Sequence, residues 1–200
     1  MDKIFTKNIE HESAVKHVTG KAIYTDDISE PKNLLHAVIG YSNCSKGVIK
    51  KIDYKDVLSS EGVVDIITEK DIEGINDVGP IFKGDKIFTS KNIEYYGQPI
   101  FAVIAKTNNL AKKAALKVKI DLKISKPIVS IEEALKKKSF VLKPKHLTRG
   151  NIKDGFKKSD NILKGKLYSG GQDHFYLEGQ IAMTIPQEDN NFLVYSSTQH

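Results

Sequence analysis

The 200-residue sequence predicts an α+β fold in which short helices cover one face of a set of strands, followed by a mostly β region toward the carboxy terminus. Three observations predict it. The apolar run Ile100-Phe101-Ala102-Val103-Ile104-Ala105 has the length and composition of a buried strand. The residues after it change to helical spacing: Leu110, Ala111, Ala114, Ala115 and Val118 share one face, and Lys112, Lys113 and Lys117 share the other. Charge then changes sign along the chain. Residues 1–166 hold all 31 basic and 21 of the 25 acidic side chains, a balance of +10, whereas residues 167–200 hold four carboxylates and no lysine or arginine. Long flexible lysines resist burial, so a stretch without them is expected to pack against something or to form a site.

Taken in order, Leu34 to Tyr41 is a near-continuous apolar run, and Val48-Ile49-Lys50-Lys51-Ile52 follows; both read as strands. Asp53 can cap a short helix over Tyr54 to Ser60, Glu61-Gly62 ends it, and Val63-Val64-Asp65-Ile66-Ile67 is a further buried strand. Gly74 to Gly84, with Gly79-Pro80 and Lys83-Gly84-Asp85, is a loop. After the buried strand and the helix from Asn108 or Asn109, residues 118–124 alternate apolar with charged positions as a half-exposed strand. Ser130 caps an amphipathic helix to Lys138, with Glu133 three residues on. From Asn161 the pattern is β again, over Ile162 to Tyr168, around Phe175 to Ala182, and over Phe192 to Tyr195.

This divides the chain into an amino-terminal extension (1–17), an α+β domain (18–125), a connector (126–150) and the beginning of a β-rich domain (151–200). The last strand stops at Ser196-Ser197-Thr198-Gln199-His200 without a closing turn or polar tail, so the chain reads as incomplete.

Composition narrows the function. No apolar run approaches the ~18 residues of a membrane span, and the amino terminus lacks the pattern of a signal peptide, so the expected location is the cytoplasm, away from membranes. Cys44 is the only cysteine, and the chain alone cannot build a disulfide, a paired-cysteine zinc site or an iron–sulfur cluster. Cys44 reads as a small inert side chain in a turn. The net charge of +6 raises the alternative of a basic nucleic-acid-binding module, which would bind with steep salt dependence. Yet 30 of the 31 basic residues are scattered lysines and only Arg149 offers a guanidinium fork, a composition that fits a solvated surface and no nucleic-acid partner. The six histidines show no ligand spacing, and His36 within an apolar strand reads as hydrogen-bonded and partly buried. Phosphate-binding, zinc-protease and nucleophile-elbow patterns are missing.

One segment could carry chemistry. Ser169-Gly170-Gly171-Gln172-Asp173-His174-Phe175-Tyr176-Leu177-Glu178-Gly179-Gln180 sets two glycines beside polar, aromatic and acidic residues and contains no cation. Paired glycines let the backbone approach a bulky ligand, and the amide of Gln172 offers two donors and an acceptor without charge. On spacing alone the plainer alternative is a tight turn and a strand with Phe175 and Leu177 facing the core.

The stretch Gly170 to Gln180, with Pro186-Gln187-Glu188-Asp189 and Ser196 to His200 after it, resembles the molybdopterin-binding subunit of the aldehyde oxidase and xanthine dehydrogenase family, and within it the xanthine dehydrogenase group. Thr19 to Ile28, Gly62-Val63-Val64, Asn76-Asp77-Val78-Gly79-Pro80, Tyr96-Gly97-Gln98-Pro99-Ile100 and His146-Leu147-Thr148-Arg149-Gly150 resemble the same family in the same order. The resemblance implies a hammerhead α/β domain followed by the start of a mixed β-rich molybdenum-cofactor-binding domain. It implies that Gln172, beside Gly171, contacts the molybdenum–pterin cofactor through a hydrogen bond, with no residue of the chain as a direct metal ligand. The implied reaction is hydroxylation of purines, hypoxanthine to xanthine to urate, with water as the oxygen source. The family's catalytic glutamate and purine-holding side chains match no position here, so the piece is expected to be inactive alone, and Glu178 keeps a structural role. Electrons would pass to 2Fe-2S clusters and FAD on a separate small subunit and then to NAD, in a dimer of heterodimers. The initiator methionine just before the resemblance favours that separate subunit. Aldehyde oxidoreductases and related hydroxylases share the architecture and form the alternative.

Overall fold

The computed structural model describes residues 10–176 and 178–198. In chain order the elements are α1 (Ala14–Val18), β1 (His36–Tyr41), β2 (Gly47–Asp53), α2 (Lys55–Leu58), β3 (Val63–Ile67), β4 (Asn92–Ile93), β5 (Pro99–Ala105), α3 (Asn108–Ala115), β6 (Lys119–Ile124), α4 (Ile131–Lys137), α5 (Ile152–Lys158), β7 (Ala182–Pro186) and β8 (Phe192–Ser196). They fall into two units: Pro31–Asn151, and the described residues up to Glu30 together with those from Ile152 onward.

In the unit Pro31–Asn151 the apolar run becomes β5, the middle strand of the antiparallel sheet β1-β5-β3; the second sheet is β4-β2-β6. Because β5 has a partner on each side, all its amide groups can be satisfied internally, which a strand this apolar requires. Phe101, Val103 and Ala105 are fully buried against Ala111 and Ala114 of α3 and Val57 of α2, and Ile49, Ile93 and Ile100 extend the same core. Lys112 and Lys113 stay exposed on the outer face of α3, as the helical spacing predicts. Thr107 starts this helix, its Oγ1 accepting from Leu110 N at 3.3 Å.

Two contacts set the geometry of the core. Gly40 lies opposite Phe101 in the β1–β5 register, and a Cβ at position 40 would overlap the Phe101 ring. The ring occupies the space that the missing side chain leaves. Tyr54 meets the same ring edge-on, with centroids 5.2 Å apart at 69°.

Some elements differ from the sequence reading. The helix expected over Tyr54 to Ser60 is only Lys55–Leu58. Its N-cap is Tyr54 and not Asp53, which sits one residue earlier with Oδ1 accepting from Lys55 N at 2.9 Å; the Ser59 and Ser60 hydroxyls donate to the Asp56 carbonyl and compete with continued helix. Gly62 ends the turn at φ +72°. The loop from Gly74 has a framework of its own: Asn76 exchanges two side-chain hydrogen bonds with the Phe88 backbone, and the Asp77 carboxylate accepts from Gly79 N at 2.8 Å and Gly84 N at 2.6 Å. At Ser130 half of the expected capping box forms. Its Oγ accepts from Glu133 N at 3.2 Å, while the Glu133 carboxylate pairs with Lys137 at 2.7 Å. Strand β4, α1 and α5 carry too little periodicity to be read beforehand.

The second unit departs most. Antiparallel β7 and β8 form, with Met183 opposite Tyr195 and Ile185 opposite Leu193. No strand forms over Ile162–Tyr168 or over Phe175–Gln180 among the described residues. A strand needs a neighbour for its N–H and C=O groups, and neither stretch is paired to β7 or β8, whose sheet is two-stranded. Phe175, expected to face the core, has φ +51° and is 90% exposed; Leu177, expected to do the same, lies outside the described residues. The lysine-free stretch is not buried within this chain either: from Leu167 onward the described residues are exposed or half-buried.

Gly40→Ala is expected to lower the urea unfolding midpoint of the chain by the equivalent of about 1–3 kcal/mol, the usual cost of overpacking; an unchanged midpoint would contradict the Gly40–Phe101 fit. Burial, reinforced by the Asp71 carboxylate, pushes the Tyr54 phenol up from 10.0 to about 12. The folded state therefore favours the neutral phenol. That contribution is fully present below pH 10 and is lost as pH rises through about 12. In an absorbance titration, one phenolate increment should appear only near pH 12 and be missing from Tyr54→Phe.

Candidate functional site

The segment with the paired glycines runs through irregular backbone between α5 and β7. Gly170, Gly171 and Gln172 are all exposed, and a Cβ at either glycine would meet nothing within 4 Å. The backbone there is open to a bulky group. Asp173 Oδ1 lies 3.5 Å from Phe175 N, and the rings of His174 and Tyr176 stack nearly parallel, 5.8 Å apart and 5° from coplanar. That stack leaves Phe175 between them pointing outward.

Glu178 behaves differently. Of the described residues from Ser169 to Gln180 it alone is not exposed, and its Oε1 accepts from the Thr25 N–H at 2.9 Å. Thr25 opens a single 3-10 turn, Thr25–Asp27, whose other end is tied back by Asp27 Oδ2 accepting from Tyr24 N at 3.0 Å. Tyr24 in turn places its hydroxyl 3.0 Å from His17 Nδ1. Glu178 takes a structural hydrogen bond, but its partner Thr25 lies in the stretch that the sequence reading assigns to the 18–125 domain, not in the 151–200 segment where the bond is expected. At the residue after Glu178, Ser197 Oγ donates to the Gly179 carbonyl at 2.7 Å, and the same oxygen accepts from Ile181 N at 2.9 Å. Gln199 and His200, which complete the last motif, lie outside the described residues.

The structure thus brings together three stretches that are far apart in sequence: Thr19–Ile28, Gly170–Gln180 and the residues ending β8. Sequence reasoning singled out each stretch but found neither the Thr25–Glu178 bond nor the Ser197 bonds. Thr25 and Glu178 are 153 residues apart, and no local pattern reports such a pair. The donor set near Gln172 fits a large oxygen-bearing cofactor: an uncharged amide free to donate, two open glycines, and no cation between Leu167 and Thr198 to compete for the same acceptors.

Elsewhere the remaining candidates take ordinary places. His36 is half-buried in β1, and Cys44 is a buried free thiol in the turn between β1 and β2. Several lysines face carboxylates: Lys119 pairs with Asp56 at 2.7 Å, and Lys51 and Lys119 lie opposite Asp121 and Asp53 across the β2–β6 ladder. No helix among the described residues is long and apolar enough to cross a membrane.

Residues 19–126 match the family model described as aldehyde oxidase and xanthine dehydrogenase, a/b hammerhead domain, and residues 132–200 match the molybdopterin cofactor-binding domain. The chain is 37% identical over 195 residues to a xanthine dehydrogenase of Dictyostelium discoideum, covering 98% of this chain and 14% of that protein. It is 39% identical over 193 residues to aldehyde oxidase 2 of Mus musculus, again covering 96% of this chain and 14% of the relative. Among solved structures, an aldehyde oxidoreductase from Desulfovibrio gigas superposes with a TM-score of 0.79 at 27% identity, over 92% of this chain and 23% of that one. The chain therefore spans about one seventh of the length of the two relatives.

Proposed function

Because the chain belongs to the aldehyde oxidase and xanthine dehydrogenase family, we propose that it supplies the hammerhead domain and the first part of the cofactor-binding domain of a molybdenum hydroxylase acting on purines, with Gln172 as a cofactor contact. We assign the hammerhead domain to residues 18–125, after an extension over 1–17, the connector to 126–150 and the opening of the cofactor domain to 151–200. The observation that carries the reading is the open, cation-free Gly170-Gly171-Gln172 bend.

When bound, the molybdenum–pterin cofactor supplies oxygen transfer from water to substrate carbon and takes up an electron pair. This chain's part is to bind and orient. Gln172 donates an uncharged N–H toward the cofactor, so the contact survives across neutral pH without a proton being gained or lost. Gly171 keeps the backbone beside it clear of a side chain. Glu178 is engaged with Thr25 and is not assigned as the base; the base and the purine-holding groups are assigned outside residues 1–200. With Cys44 as its only thiol the chain cannot hold a 2Fe-2S cluster. The electrons are therefore assigned to 2Fe-2S and FAD on a small partner subunit, with NAD as acceptor, in a cytoplasmic dimer of heterodimers.

Aldehydes are the second substrate class to weigh, because the identity to aldehyde oxidase 2 of Mus musculus, 39%, is slightly higher than the 37% to the xanthine dehydrogenase relative. The motif Gly-Gly-Gln-Asp-His-Phe-Tyr-Leu-Glu supports purines.

Two measurements on the full protein test the proposal. Steady-state oxidation should favour xanthine and hypoxanthine over aldehydes; a preference for aldehydes would reject the purine assignment. Gln172→Ala should lower kcat by roughly 10–100-fold, as is usual for outer contacts of a metal group, with molybdenum content unchanged.

A further inference from the structure

The segment that carries Gln172 has no core beneath it: none of the described residues from Ser169 to Gln180 is buried. Its position must come from a few specific bonds. Two of them fall on adjacent residues. The Thr25 N–H opens a helical turn and so has no acceptor inside it, and Glu178 Oε1 takes that donor at 2.9 Å. At the next residue, the Gly179 carbonyl accepts from Ser197 Oγ at 2.7 Å, and the same oxygen accepts from Ile181 N at 2.9 Å. Ser197 N also donates to the Ile181 carbonyl at 3.1 Å, so the segment is continuous with the end of the β7–β8 ladder.

We propose that Glu178 and Ser197 are positioning residues that clamp the carboxy-terminal side of the Gln172 bend, one by its bond to the Thr25 turn and the other as the residue that follows β8. The assignment rests on the reading of Gln172 as a cofactor contact. The direction of the side chains supports it. Phe175 and Tyr176 turn outward while the carboxylate of Glu178 turns inward, the reverse of what hydrophobic burial alone would select. Ties to two different elements fix rotation as well as position; a single tie would leave a pivot six residues from Gln172. The clamp also gives the Thr19–Ile28 stretch a task in the cofactor domain, although it lies some 150 residues upstream in sequence.

The test uses the full protein with Glu178→Ala, Glu178→Gln and Ser197→Ala. In the cofactor-free form, amide hydrogen exchange should rise at Thr25 in Glu178→Ala and at Ile181 in Ser197→Ala. The expected factor is about five, which corresponds to a net hydrogen bond of about 1 kcal/mol. Exchange in β5 should not move. Glu178→Gln, which keeps an acceptor oxygen, should restore Thr25 protection. In the loaded enzyme each alanine variant should lower kcat about ten-fold at full molybdenum content, with KM changed less than about two-fold. Unchanged exchange at Thr25 and Ile181 would overturn the clamp, as would normal kcat in loosened variants when Gln172→Ala itself lowers kcat. A normal kcat in Gln172→Ala beside raised exchange in Glu178→Ala would instead remove the functional reading and leave the clamp standing.

Discussion

The unit Pro31–Asn151 depends on the enclosure of one strand. β5 is apolar along its whole length, so it is stable only with a hydrogen-bonding neighbour on each side and apolar cover over its side chains. β1 and β3 provide the neighbours, while α3 and α2 provide the cover. The fit is steric in detail, because Phe101 enters the gap that Gly40 leaves and Tyr54 closes against its edge. The small face of α3 follows from the same constraint: Ala111 and Ala114 let the helix approach a strand whose Phe101 already fills much of the volume.

The other unit is built on a different principle. None of its described residues is buried, and a two-stranded hairpin of this kind is marginal without cover. Order in the Gln172 segment therefore comes from hydrogen bonds of defined direction, the Glu178 carboxylate on Thr25 and the Ser197 hydroxyl on Gly179 and Ile181. Such bonds contribute modestly each but specify orientation sharply. A segment held in this way can leave its glycines and its amide open to a ligand, which a packed core would forbid.

Charge divides the chain at a different place, after Lys166, inside the second unit. The lysines of the unit Pro31–Asn151 sit on exposed faces, some opposite carboxylates such as Asp56 and Asp121, where surface pairing adds little stability but keeps the surface solvated. The stretch from Leu167 lacks cations altogether. An uncharged donor such as Gln172 then meets acceptors without competition from a lysine side chain in its own segment.

Local physics was enough to read much of the hammerhead portion from sequence. An apolar run dictates a buried strand, the spacing of Ala111 and Ala114 dictates a helix with one small face, and Ser130 dictates a helix start, because each of these depends on neighbours within a few residues. The family motifs also singled out the Gln172 segment. The sequence could not say which apolar stretches would find partners: Ile162–Tyr168 has the composition of a strand and remains irregular, since pairing is decided by what lies alongside. Nor could it show that Glu178 would reach Thr25 across 153 residues, or that Phe101 would fill the space at Gly40. Those contacts exist only after the chain has folded, because they join residues whose proximity no local preference encodes.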